Sequence, residues 1–123
     1  MFPDSVSVAL SDMTTQITTG TIKAYWVNPF DAVLTITKVK ATLATAGSGA
    51  TVVDINEGAG AGTSILSTKI TIDASETDSD AAGTPPVVSD SSIAADGRLT
   101  FDVDTAGTSA AGLMVHVMFT RPI

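Results

Sequence analysis

Apolar and polar residues alternate with a period of two along most of this chain, and the helical period is nearly absent. Val6, Val8 and Leu10 alternate with polar neighbours and predict a first strand. Ile22, Ala24 and Trp26 share one parity in the next, with Lys23, Tyr25 and Val27 on the opposite face. Asn28-Pro29 ends that strand, because proline has no N–H for the ladder and restricts the residue before it. In "DAVLTITKVKATLATAG", Leu34 and Ile36 share one parity, whereas Val39, Ala41 and Leu43 share the other. The change near Thr37-Lys38 predicts a bulge or bend, since one extra residue flips every later side chain. A long strand bent there suits a sandwich in which one strand serves both sheets. "TVVDIN" and "ILSTKITIDAS" read as further strands, the latter with Ile70 and Ile72 alternating. The polar stretch "ETDSDAAGTPPVVSDSS" reads as a long surface connection with a short strand at Val87-Val88, and Asp96-Gly97 as a turn.

The best-patterned hairpin is "RLTFDVDTAGTSAAGLMVHVMF". Leu99, Phe101 and Val103 are expected inside, with Thr100, Asp102 and Asp104 facing solvent. Leu113, Val115, Val117 and Phe119 share one face of the final strand. Burying each of these large side chains is worth roughly 1.5–3 kcal/mol, so a one-residue slip forfeits on the order of ten. The other face of that strand carries Met114, His116 and Met118. Such a face is not solvent-like, and these three residues are the candidate subunit interface. The pattern as a whole predicts an all-β fold, a jelly-roll or Greek-key β-sandwich of about eight strands, in one domain spanning 1–123.

Composition narrows the function classes. Of 123 residues, 44% are hydrophobic and 15% charged, too apolar and too weakly charged for a disordered chain. That balance is also apolar for a surface that meets water alone, and it implies that a partner covers part of it. The net charge is −7, from 13 acidic and 6 basic residues, which argues against nucleic acid as a partner. Lys38 and Lys40 alternate on one strand face and read as solvated. With no cysteine, disulfides and thiolate metal sites are excluded. "MFPDSVSVALSDM" lacks a secretion signal's basic start and apolar core, and no apolar run approaches the roughly 20 residues of a membrane helix. A soluble protein made in a cytoplasm, with no membrane partner, is expected.

Candidate chemistry is thin. "GAGAG" at residues 58–62 has no lysine and no following helix, so it reads as a flexible hairpin loop rather than a phosphate cradle. Asp78, Asp80 and Asp90 do not have the spacing of an EF-hand and read as a solvated loop ahead of a calcium site. Asp102 and Asp104 lie two apart on one strand, but nothing marks the cleft and unequal environments that acid–base work needs. His116 is the only histidine, and no G-x-S-x-G motif accompanies it; it is expected to pack between Met114 and Met118. Tyr25 and Trp26 are adjacent, so they point to opposite strand faces, one of them into the core. The other is the candidate glycan or receptor contact. No catalytic, cofactor or metal residue is assigned, and an enzyme is not expected.

Three stretches carry a resemblance: "TLATAGSGATVVDIN", "SILSTKITIDASETDS" and "IAADGRLTFDVDTAGTSAAGLMVHVMF". Together they resemble small jelly-roll domains in virion structural proteins of tailed bacteriophages, over roughly residues 33–119. The loop "NEGAGAGTS" is longer than the short turn expected there. The resemblance implies a capsid cement or decoration protein, commonly trimeric, that binds the major capsid protein or another virion component. It places the chain on the virion surface after synthesis in the host cytoplasm. The alternative it implies is a glycan- or receptor-binding module of a tail or head fibre. Inert small-residue loops and the Met114/His116/Met118 face would then meet solvent and a neighbour respectively.

Overall fold

In the computed structural model, which describes residues 2–58, 60 and 62–122, the regular structure is almost entirely antiparallel β. The described residues form eleven strands: β1 Phe2–Ala9, β2 Gly20–Val27, β3 Leu34–Thr42, β4 Thr51–Glu57, β5 Thr63–Ser64, β6 Leu66–Thr68, β7 Ile70–Ile72, β8 Val87–Val88, β9 Ser92–Ile93, β10 Arg98–Thr105 and β11 Met114–Arg121. A single 3-10 turn lies at Ser79–Ala81. Five of the strands have only two or three residues, so the count exceeds the expected eight through short pieces.

Two sheets share one core. The first has the order β1-β11-β3-β9 and the second β2-β10-β4-β5, with β7 also on β4; β6 and β8 form a small ribbon. The pairings are nested: β1 with β11, β2 with β10, β3 with β9 and β4 with β7. Leu99, Phe101, Val103, Val53 and Ile55 from one sheet meet Leu34, Val39, Val115, Val117 and Phe119 from the other in a single buried cluster. The alternation that predicted these inward positions is the cause, because each of these side chains leaves water only in this register.

The expected bulge is present. Met118 lies opposite Lys38 but Phe119 opposite Ile36, so Thr37 is the extra residue on β3. It keeps Leu34 and Ile36 on the same side as Val39 and Ala41, all buried. β3 does not cross between sheets, however; its strand partners are β11 and β9, both in the first sheet.

Two expectations on facing fail. Ile22 does not turn inward with Ala24 and Trp26. A register shift opposite Phe101 and Val103 puts it in the left-handed region, φ +50°, with its side chain exposed. Thr100 and Asp102 do face away from the core, yet both are buried.

The two Thr-Ala-Gly loops expose Thr45, Ser48, Thr108 and Ser109 as expected, but they also pair with each other. Thr45 bridges Ala111, and the Ser48 N–H donates to the Thr108 carbonyl at 3.0 Å. The Gly107 N–H donates to Thr51 Oγ1 at 3.1 Å. A Cβ on Gly107 would sit 2.5 Å from the Gly49 carbonyl oxygen. The loops are small-residued because they clasp each other at one end of the core, where Ala110 and Gly107 are buried.

Candidate functional site

The outer face of the first sheet is built from alternate residues of β1, β11 and β3. Cross-strand register sets its rows: Ala9 beside Met114 and Thr42, Ser7 beside His116 and Lys40, Ser5 beside Met118 and Lys38, and Pro3 beside Thr120. Met114, His116 and Met118 therefore stand together as expected, each half-buried.

His116 is held by hydroxyls, in addition to standing between the two methionines on β11. Ser7 Oγ lies 2.7 Å from Nδ1 and Thr42 Oγ1 lies 2.9 Å from Nε2. A neutral imidazole satisfies both, donating from one nitrogen and accepting at the other. Partial burial, and then the nearby Lys40 ammonium, push the imidazole below its ordinary value near 6.5, with Asp78 opposing. Ser5, Ser7, Lys40, Thr42, His116 and Met118 line a shallow depression of about 390 Å³. Ser7 and Thr42 escaped the sequence reading because their approach depends on cross-strand register, 109 and 74 residues away.

Lys38, Asp80 and Asp90 are solvated as expected, but Lys40 is largely covered, and both lysines are ion-paired to an acidic segment docked on β3. Lys40 Nζ lies 2.9 Å from both Asp78 Oδ2 and Asp80 Oδ2, and Lys38 lies 3.2 Å from Asp80. The Asp80 N–H and then Lys40 hold the Asp78 carboxyl below its usual range; Lys40 and then Lys38 do the same for Asp80. The segment is docked through backbone as well. The Ala41 N–H donates to Ser79 Oγ at 3.0 Å, and the Leu43 N–H donates to the Thr77 carbonyl at 2.8 Å. Among the described residues no group of three His, Asp or Glu side chains is arranged to hold a metal ion. Between this segment and β3 runs a groove of about 500 Å³, bordered by Val39, Pro85, Pro86 and Val88.

On the second sheet, Asp102 faces Asp54 across the β10–β4 ladder, and both are buried. Asp102 accepts from the Ile22 N–H at 2.8 Å and from Asn56 Nδ2 at 2.9 Å. Asp54 accepts from Ser64 Oγ at 2.6 Å and from the Ile55 N–H at 2.9 Å. Lys69 stands 4.0 Å from Asp54 and pairs with Asp104, which is exposed as expected. These carboxylates anchor a bulge and a hairpin, which explains their burial.

Tyr25 and Trp26 separate as adjacent strand positions must. Trp26 packs inward, its ring centroid 5.7 Å from that of Phe119. Tyr25 is 58% exposed, with the Arg98 guanidinium 4.4 Å above its ring. Of the 58–62 loop, Ala59 and Ala61 lie outside the described residues. No family model, no curated protein and no solved structure matches this chain.

Proposed function

We propose that this chain is a non-enzymatic structural protein of a bacteriophage virion, a cement or decoration protein built on a jelly roll. The nested pairing supports the fold reading. Taking β1, β2, β3, β4, β7, β9, β10 and β11 as the eight principal strands, first pairs with last, second with seventh, third with sixth and fourth with fifth. A long hairpin rolled up on itself gives that order.

One observation carries the function. On a chain of net charge −7, the outer positions of β1 and β11 (Pro3, Ser5, Ser7, Ala9, Met114, His116, Met118 and Thr120) hold no carboxylate, lysine or arginine. With the imidazole neutral, the strip is free of charge. Interface centres are depleted of charge and enriched in methionine, whose flexible thioether adapts to a partner surface. The strip is the docking face for the shell protein, and the ion-paired Lys38, Lys40, Asp78 and Asp80 form its polar rim. Many weakly held copies then add their burial to the stability of the particle.

Binding to shells stripped of the protein tests this reading. Wild type should co-sediment with the shells and raise their resistance to heat. The Met114→Glu, Met118→Glu double variant should stay folded and stay in the supernatant. Failure of wild type to bind any shell overturns the function, and full binding by the double variant overturns the face.

A second reading has its own observation. Tyr25, exposed and stacked under Arg98, offers the aromatic plane and cation that a glycan-binding fibre module would use. On that reading Tyr25→Ala abolishes adsorption to host cells and leaves particle stability unchanged.

A further inference from the structure

The exposed sheet edges differ in one respect. β9 and β5 have two residues each and β7 has three, too short to template another strand. β2 is interrupted by its bulge and by the left-handed Ile22. Among the described residues, β1 alone of these edges runs eight residues in unbroken register, with β11 on one side and no strand paired on the other.

The direction of its backbone groups follows from one bond. The Leu10 N–H donates to the Leu113 carbonyl, so even-numbered residues turn toward β11 and odd-numbered ones turn outward. Pro3 has no N–H to offer, and the Ser5 N–H is taken by Asp4 Oδ1 at 2.8 Å. Ser7 and Ala9 present both N–H and C=O to the outside. The edge is thus blunted at its start and open at its centre and end.

We propose that two copies of this chain pair antiparallel through β1, centred on Ser7. In that register Ser7 faces Ser7 of the second copy, Val6 faces Val8, and Ser5 faces Ala9. The open donors meet open acceptors, with the Pro3 gap left at the ends. Val6 and Val8, aligned with buried Val117 and Val115 yet only half-covered, gain cover from the valines of the other copy. Asp4, the one charged residue of β1, lies opposite Leu10, so the two Asp4 carboxylates sit at opposite ends of the ladder. That separation matters in a chain of net charge −7. The contact is isologous and two-fold, in place of the three-fold assembly that the phage resemblance implies. Two four-stranded sheets become one of eight, with a methionine strip on each side of the dyad. The inference is independent of the virion reading.

Engineered cysteines test the register, because the chain has none of its own. Hydrogen-bonded antiparallel pairs hold their Cα atoms about 5.5 Å apart, within disulfide range. Ser7→Cys should form a covalent dimer under mild oxidation. Ser5→Cys should not, because its twin lies four residues along the ladder, about 13 Å away. The Ser5→Cys, Ala9→Cys double variant should cross-link again. By light scattering the full wild-type chain should have twice the monomer mass, and Ser7→Pro, confirmed folded by circular dichroism, should have one. A wild type that stays monomeric across a dilution series overturns the proposal, as does equal cross-linking of Ser5→Cys and Ser7→Cys.

Discussion

The carboxylate of Asp102 holds the backbone of Ile22, 80 residues earlier in the chain, at φ +50°. A β-branched residue in the left-handed region is a genuine outlier, costing roughly 1–2 kcal/mol. The bond to Asp102, buried and braced by Asn56, offsets that cost and terminates the regular pairing of β2. Asp102→Ala leaves the Ile22 N–H and the Asn56 amide without their acceptor, and a loss of about 2–4 kcal/mol in denaturant unfolding is expected. A loss below about 0.5 kcal/mol contradicts this role.

The same geometry makes an unusual prediction for Ile22 itself. Glycine adopts φ +50° without strain, at an entropic cost of about 0.5–1 kcal/mol. Ile22→Gly should therefore be neutral or stabilising by up to about 1 kcal/mol. Val27→Gly, on the same strand without the outlier, should lose up to about 1 kcal/mol. Comparing the two unfolding midpoints decides it; equal losses would contradict the assigned strain.

Gly107 is needed for close approach. An alanine there meets the Gly49 carbonyl at 2.5 Å and Thr51 Oγ1 at 3.1 Å, both fixed by the loop clasp. Gly107→Ala should cost about 1–3 kcal/mol by overpacking. Gly83→Ala, with nothing within 4 Å, should stay within about 0.5 kcal/mol of wild type. Thermal unfolding of the pair checks the contrast.

His116 gives stability a pH dependence. Its pKa is lowered on folding, so the unfolded chain takes up the proton first as pH falls past about 6.5. Its contribution is full above that value and declines as pH falls through it toward the folded value. His116→Asn should flatten the unfolding midpoint across that window. Superimposable profiles would show that the imidazole does not titrate differently on folding.

A second, more acidic loss belongs to Asp78 and Asp80, whose folded values are lowered chiefly by the Asp80 N–H and by Lys40. Their contribution is present above the ordinary carboxylate range and disappears as pH falls through the folded values. Lys40→Met should move both carboxyl titrations upward when followed by NMR. Titrations that do not move contradict the pairing.

The alternation made the core legible. Leu99, Phe101, Val103, Val115 and Val117 are buried as their parity required, and the parity break at Thr37 located a bulge. Burial of Asp102 and Thr100 was not legible, because an outward parity says nothing about what lies over that face. Nor was Ile22, since the pull of a distant carboxylate leaves no local mark. Met114, His116 and Met118 were found together because they share one strand. Ser7, Thr42 and Lys40 reach them only through register, and the pairing of Lys40 with Asp78 and Asp80 needed the docking of a segment 38 residues away.

We propose that this protein sits on a viral head. Gold-labelled antibody to the chain, applied to phage particles from cells carrying the gene, tests it most directly. Label spread evenly over the head surface is the expected result. Label confined to the tail tip, or particles without label, would contradict it.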